Sequence, residues 1–181
     1  MKKIILLLIT CVAFIATQAQ GTFKFGVAGG INVADLSTDQ TTKTLTGFHA
    51  GLLSEVKFPV KLGVEAGLLY AVKGAKTESF NSNFIDNKLS YIDIPIVVKI
   101  YTLKVLSFQL GPQYSYLLSA TSDGTDVKDN LNASDISAIA GIGLDVSKFR
   151  ASIRYNFGLT EISDGGEKNN VIQATVGFWI K

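Results

Sequence analysis

Cysteine, histidine and proline are scarce in this sequence, with one, one and three among 181 residues. The lone Cys11 lies in the apolar N-terminal segment, so a chain cleaved after Ala19 has no cysteine. That excludes disulfides and thiol chemistry from the remainder. No phosphate-binding loop, nucleophile elbow, metal-ligand cluster or haem motif occurs. Long apolar runs are missing too. Hydrophobic residues make up 47% of the chain, yet none of the sequence beyond the first twenty residues matches the ~20 apolar residues of a membrane helix. Excess charge is also lacking. Without Lys2 and Lys3 the 17 basic residues fall to 15, matching the 15 acidic ones. No basic patch points to nucleic acid.

The N-terminus reads as a targeting segment. Met1-Lys2-Lys3 is a short basic start, Ile4 to Ile15 is apolar, and Ala16-Thr17-Gln18-Ala19 supplies small residues for cleavage. Thr10 is a poor residue before an acylated cysteine, and the apolar run continues past Cys11, which disfavours a lipoprotein. The expected division is a cleavable signal peptide at 1–19 and one domain at 20–181.

From residue 22 onward apolar and polar residues alternate, as in strands with unlike faces. Phe23, Phe25, Val27, Ile31 and Val33 alternate with Thr22, Lys24, Gly26, Gly30 and Asn32. Seven further segments repeat the pattern, at residues 47–58, 62–73, 91–100, 107–118, 136–146, 149–159 and 172–180. Most reach ten residues, the length of a membrane-spanning strand (~9–11) and not of an ordinary one (~5–6). Short links at 59–61, 101–104 and 147–148 alternate with long polar ones at 34–44, 74–88, 119–134 and 160–169. This predicts an all-β, eight-stranded, antiparallel up-and-down transmembrane barrel, with short turns and both termini on the periplasmic side.

Three features turn the apolar face outward to lipid and away from a soluble barrel's core. Glycine gathers on the polar face, as at Gly26, Gly30, Gly63, Gly111, Gly143 and Gly177, where a narrow eight-stranded interior needs small residues. The polar face also carries charges of both signs, able to satisfy one another in a closed space. Glu55, Lys57, Glu65, Lys73, Asp93, Lys99, Asp145, Arg150 and Arg154 are the expected lumen network. Asp93 with Lys99 and Glu65 with Lys73 are candidate members, and strand register decides which carboxylate meets which cation. Finally, Phe23, Phe25, Phe58, Phe108, Phe149 and Phe178 fall near the short turns. Phe48, Tyr70, Tyr114, Tyr116, Tyr155 and Phe157 fall near the long loops. Two aromatic belts suit two membrane interfaces.

Chemistry is thinly represented. His49 is the only histidine and falls on the interior face, out of register with a lipid substrate, so it reads as a lumen hydrogen-bonding residue. Asp123-Gly124-Thr125-Asp126 with Asp129 lacks the spacing and terminal glutamate of a calcium loop. Asn132-Ala133-Ser134 matches a glycosylation sequon, which carries little weight in a bacterial outer loop. Phe80, Phe84 and Ile85 are unusual apolar residues in a polar link, either a contact point or a fold-back onto the rim. The expectation is a non-enzymatic structural or interaction barrel with no cofactor. Its expected partners are outer-membrane lipid, the assembly machinery and a protein met through the loops. A secretion component or narrow pore is the alternative, and an enzyme acting on lipid or peptide comes third.

Gly47-Phe48-His49-Ala50-Gly51-Leu52, Gly67-Leu68-Leu69-Tyr70 with Lys73-Gly74-Ala75-Lys76, and Tyr91-Ile92-Asp93-Ile94-Pro95 follow one another in order. Gly111-Pro112-Gln113 and Arg154-Tyr155-Asn156-Phe157-Gly158-Leu159-Thr160 continue the series. Together they resemble the PorT-type outer-membrane β-barrel family of Bacteroidetes, over essentially the whole domain. The resemblance implies an eight-stranded barrel in the outer membrane of such a bacterium. One departure is the end of the chain, where Ile180 stands at the usual place of the aromatic read by the assembly machinery.

Overall fold

The computed structural model describes residues 21–36, 42–78, 84–122, 125–128, 131–160 and 169–181. The segment at 1–19 expected to be a signal peptide lies outside them. Eight long strands make the wall: β1 (Thr22–Leu36), β2 (Thr42–Lys57), β3 (Leu62–Glu78), β4 (Phe84–Tyr101), β5 (Leu106–Ser122), β6 (Ser134–Val146), β7 (Phe149–Gly158) and β8 (Asn169–Trp179). Each pairs antiparallel with its sequence neighbour, and β1 pairs with β8, as in Val27 with Phe178 and Ile31 with Ala174. The ring is therefore closed, and every ladder group has a partner without an exposed sheet edge, the one condition under which strands cross lipid.

Closure sorts the two faces. Phe23, Val27, Ile31, Leu52, Leu68, Ile96, Leu110, Ile142, Ile153 and Val176 stand exposed on the outside. Asn32, Glu55, Glu65, Asp93, Lys99, Gln109, Arg154 and Gln173 are buried within. An apolar outside around a polar inside inverts the soluble arrangement and matches a barrel solvated by acyl chains. The aromatics of the two belts also face outward, with Phe149 against Phe178 at one end and Phe48 against Tyr70 at the other. Phe58, at a turn, is half-buried.

The interior is narrow enough that glycine is required under the longest side chains. A Cβ at Gly177 would come within 2.8 Å of the Val27 carbonyl oxygen and 2.9 Å of Cγ of Arg150, and one at Gly63 within 2.9 Å of Oε1 of Glu55. Gly177→Val is therefore expected to lower the urea midpoint of the refolded barrel. A midpoint equal to wild type would mean that both Arg150 and the β1 backbone at Val27 have room to move aside.

Three of the four long links are shorter than the sequence suggests. β1 and β2 continue to Leu36 and from Thr42, β3 and β4 to Glu78 and from Phe84, and β5 to Ser122. Thr125–Asp126 adds a two-residue strand on the end of β5. Alternation of apolar and polar residues stops where lipid stops, but ladder hydrogen bonds continue in water. Backbone pairing thus outlasts the pattern that reveals it. Strands β2 to β5 have 16, 17, 18 and 17 residues, against 13, 10 and 11 in β6 to β8. The wall is tall on one side and low on the other. A bulge at Leu118 lies in the tall side, where Ser90 pairs with Ser119 and Tyr91 with Leu117. It shifts the phase, so Leu117 and Ala120 both face inward.

Candidate functional site

The short turns set the lower end of the interior. Phe58 N–H donates to the Leu62 carbonyl across the β2–β3 turn, and Lys61 takes a left-handed φ of 59°. Just inside lies a cluster of three acids and three bases. Lys99 Nζ sits 2.9 Å from Glu55, 2.8 Å from Asp145 and 3.4 Å from Glu65. Glu65 also receives Arg150 at 2.5 Å and Arg154 at 2.6 Å, one guanidinium on each oxygen. Tyr101 O–H donates to Glu55, and Trp179 Nε1–H donates to Asp145 at 3.2 Å. Arg154 Nε–H donates to Gln109 at 2.7 Å. The six charges cancel, and every one of them is buried. This is the requirement for keeping charge out of water.

A second layer stands nearer the long loops. Lys73 Nζ pairs with Asp93 at 2.9 Å and lies 4.8 Å from the Tyr91 ring centre. His49 sits beside it with both ring nitrogens engaged, Nδ1 with Asn32 at 2.7 Å and Nε2 with Thr175 at 2.9 Å. Asn32 Nδ2–H in turn donates to the Phe48 and Val72 carbonyls. Above this, Leu89, Tyr91, Leu117 and Ala120 form an apolar cluster on which Val127 and Leu131 of the β5–β6 connection pack. Leu53, Leu69, Ala28 and Trp179 form another on the interior side.

Eight of the nine charged residues expected in the lumen lie in these two layers. Lys57 does not. It stands at the strand end, where the interior opens, and donates to the Lys104 carbonyl at 3.3 Å with its Nζ 3.6 Å from the Tyr101 ring centre. Register assigns the partners. Lys73 meets Asp93, and Lys99 meets Glu65 together with Glu55 and Asp145. Tyr101, Trp179, Gln109 and Asn32 complete the network and escape a search for charge alone. Their signal is the inward register they share with the charged residues.

Removing Asp93 leaves the Lys73 ammonium buried beside only Ser115 and an aromatic face. Asp93→Ala is expected to lower the barrel's unfolding temperature, with a loss of about 3 kcal/mol. An unchanged melting profile would refute the role assigned to this pair.

No group of three or more His, Cys, Asp or Glu arranged for a metal occurs among the described residues. Asp123, Gly124 and Asp129 of the weighed calcium loop lie outside those residues, as does Phe80. The side chains of Phe84 and Ile85 do too. On the outer wall a groove of about 480 Å³ runs over Ala151 and Ala174 between Ile142, Ile153 and Val176, an apolar surface for acyl chains.

Comparison with known proteins agrees with this geometry. The crystal structure of Ail, the attachment invasion locus protein of Yersinia pestis, in complex with the heparin analogue sucrose octasulfate, is similar at a TM-score of 0.55 and 16% identity. The match covers 87% of this chain and 99% of that one. Neisserial surface protein A is similar at a TM-score of 0.62 and 14% identity, over 85% of this chain and 96% of that one. At these identities the likeness is one of fold. Among curated proteins no sequence matches this chain. A family model described as outer membrane protein beta-barrel domain matches residues 18–164. The closed ring, lipid-facing exterior and neutral, filled lumen are what such a domain needs, and the chain belongs to the outer membrane protein beta-barrel domain family.

Proposed function

We propose that this protein is a sealed outer-membrane barrel that acts by contact through its outward rim and loops, and neither conducts nor catalyses. The observation that carries this reading is the filled lumen: two ion-paired layers of buried side chains under an apolar cluster. His49, the one residue type suited to acid–base work at neutral pH, has both nitrogens committed inside the wall and faces away from lipid. The ordered motifs favour a PorT-type barrel of Bacteroidetes, with both termini in the periplasm and the tall β2–β5 wall projecting outward. The protein that inserts it reads a C-terminal strand in which Phe178 and Ile180 face out and Trp179 faces in.

Charge indicates the kind of partner. The four long links carry ten acids (Asp35, Asp39, Glu78, Asp86, Asp123, Asp126, Asp129, Glu161, Asp164 and Glu167) against five lysines. An end of this sign suits a basic protein surface and repels a polysulfated sugar of the kind bound to the structurally similar Ail. Purified protein in planar bilayers is expected to give no steady single-channel current. Steady currents of uniform size would overturn the sealed-barrel reading and promote the pore.

A further inference from the structure

The opposite end of the barrel has the opposite charge, and its lysines are set in an unusual arrangement. Among the described residues at the short-turn end the charged side chains are Lys24, Lys57, Lys61, Lys104, Lys148 and Lys181, with no aspartate or glutamate outside the sealed interior. The β2–β3 and β4–β5 turns lie side by side, joined where Tyr101 N–H donates to the Lys61 carbonyl at 2.8 Å. Between them is a groove of about 680 Å³. Lys57, Lys61 and Lys104 line it together with Thr102, Phe58 and Leu103. Lys57 is held in place by the Lys104 carbonyl and the Tyr101 ring, so one ammonium is fixed at the inner edge. Lys61 and Lys104 are free to swing.

We propose that this groove binds the head group of an anionic phospholipid of the periplasmic leaflet. Three lysines line a volume large enough for a glycerophosphate, one with its ammonium fixed and two able to reach in. Apolar side chains stand beside them, with Leu103 63% and Val60 70% exposed. Lysines next to exposed aliphatic groups at the edge of a lipid-facing wall match a molecule with a charged head and an apolar tail. A glycan carboxylate would satisfy the lysines and leave Val60 and Leu103 in water. Phosphatidylglycerol chemistry satisfies both. The three lysines of the groove, together with Lys24, Lys148 and Lys181 at the same end, also hold the turns at the head-group level, where anionic lipid attracts them at close range. The leaflet assignment rests on the periplasmic orientation proposed above.

The test is native mass spectrometry of the refolded mature barrel, released from micelles doped with phosphatidylglycerol or with phosphatidylcholine of the same chains. Phosphatidylglycerol adducts are expected on the wild type and few of phosphatidylcholine. Lys61→Gln with Lys104→Gln, both exposed and harmless to folding, should weaken the binding about thirtyfold. Adding Lys57→Gln should weaken it about a hundredfold in total. Lys88→Gln with Lys128→Gln, at the other end, should leave it unchanged. Equal retention of both lipids, or full binding by the triple variant, would overturn the proposal. So would displacement by millimolar glycerol phosphate, which would make the ligand a free phosphate. Lysine-dependent retention on purified peptidoglycan without lipid preference would assign the surface to the cell wall instead. Orientation is read separately. A C-terminal tag on Lys181 should resist added protease in intact cells and be cut once the outer membrane is opened. Cleavage in intact cells would invert the barrel and leave the lipid result standing.

Discussion

Replacing Glu65 with alanine is expected to be the most damaging single change in this protein, with a loss of about 3–5 kcal/mol. Among the described residues Glu65 is the only carboxylate that two guanidiniums share, and Lys99 lies 3.4 Å from it as well. Without it Arg150 and Arg154 remain buried, close together and of like charge, with Ser152 and Gln109 as polar neighbours. Neither can reach water, because both are 3% exposed. At a urea slope of about 2 kcal/mol/M the midpoint of the refolded barrel would fall by about 2 M. Glu65→Gln should fall between the two, since it keeps an acceptor and loses the charge. The measurement is urea unfolding in vesicles, followed by tryptophan fluorescence of Trp179, which lies inside the affected layer. A midpoint within error of wild type would show that the ionic layer does not hold the barrel together.

Lys99→Met is the second large effect, also about 3–5 kcal/mol, and it has the opposite sign of residual charge. Lys99 joins three carboxylates, of which Glu65 keeps its two arginines. Glu55 and Asp145 keep only Tyr101 and Trp179 as neutral donors and repel one another across the space the ammonium occupied. The two substitutions therefore separate by compensation. Glu55→Gln added to Lys99→Met removes one of the two unmatched charges and should recover about half the loss. The same Glu55→Gln in the wild type should be destabilising. Two losses that simply add would place Glu55 and Lys99 in separate environments and contradict the 2.9 Å contact. Lys57→Gln serves as the contrast, since its ammonium already reaches the open mouth and its loss should stay within about 1 kcal/mol.

The faces of the strands were legible in the residues because lipid imposes a period of two from Phe23 to Val33 and in seven segments after it. The side that faces lipid was legible from glycine, since only a cramped interior explains Gly63 beneath Glu55 and Gly177 beneath Arg150. Partners in the lumen were not legible. Glu65 reaches Arg150 and Arg154 across 85 and 89 residues of chain. The stagger of the whole closed sheet, a global property, brings them level. Strand ends were not legible either. Gly74 to Glu78 and Phe84 to Lys88 pair as β3 and β4 without any apolar rhythm in their sequence, because backbone pairing needs none. Register alone places Lys57 in the interior, and register does not say how near a residue lies to the open end. Leu53 shares the register of His49 and Glu55, whereas Leu69 and Trp179 fill space on the polar side with no charge to mark them.

The reach of those contacts has a consequence for how the protein is made. Neighbouring hairpins can zip up pairwise, but Lys99 on β4 meets Asp145 on β6, Glu65 on β3 meets Arg150 on β7, and His49 on β2 meets Thr175 on β8. The last of these cannot form until the first and last strands meet, and the other two need the sheet curled round the lumen. Until then a half-built sheet would present uncompensated charge to hydrocarbon, so lipid rejects it, and the chain enters the bilayer as a nearly finished cylinder. The neutrality of the lumen thus acts as a gate on assembly: insertion and closure become one event, and a defect at Glu65 should slow membrane entry as much as it weakens the final barrel.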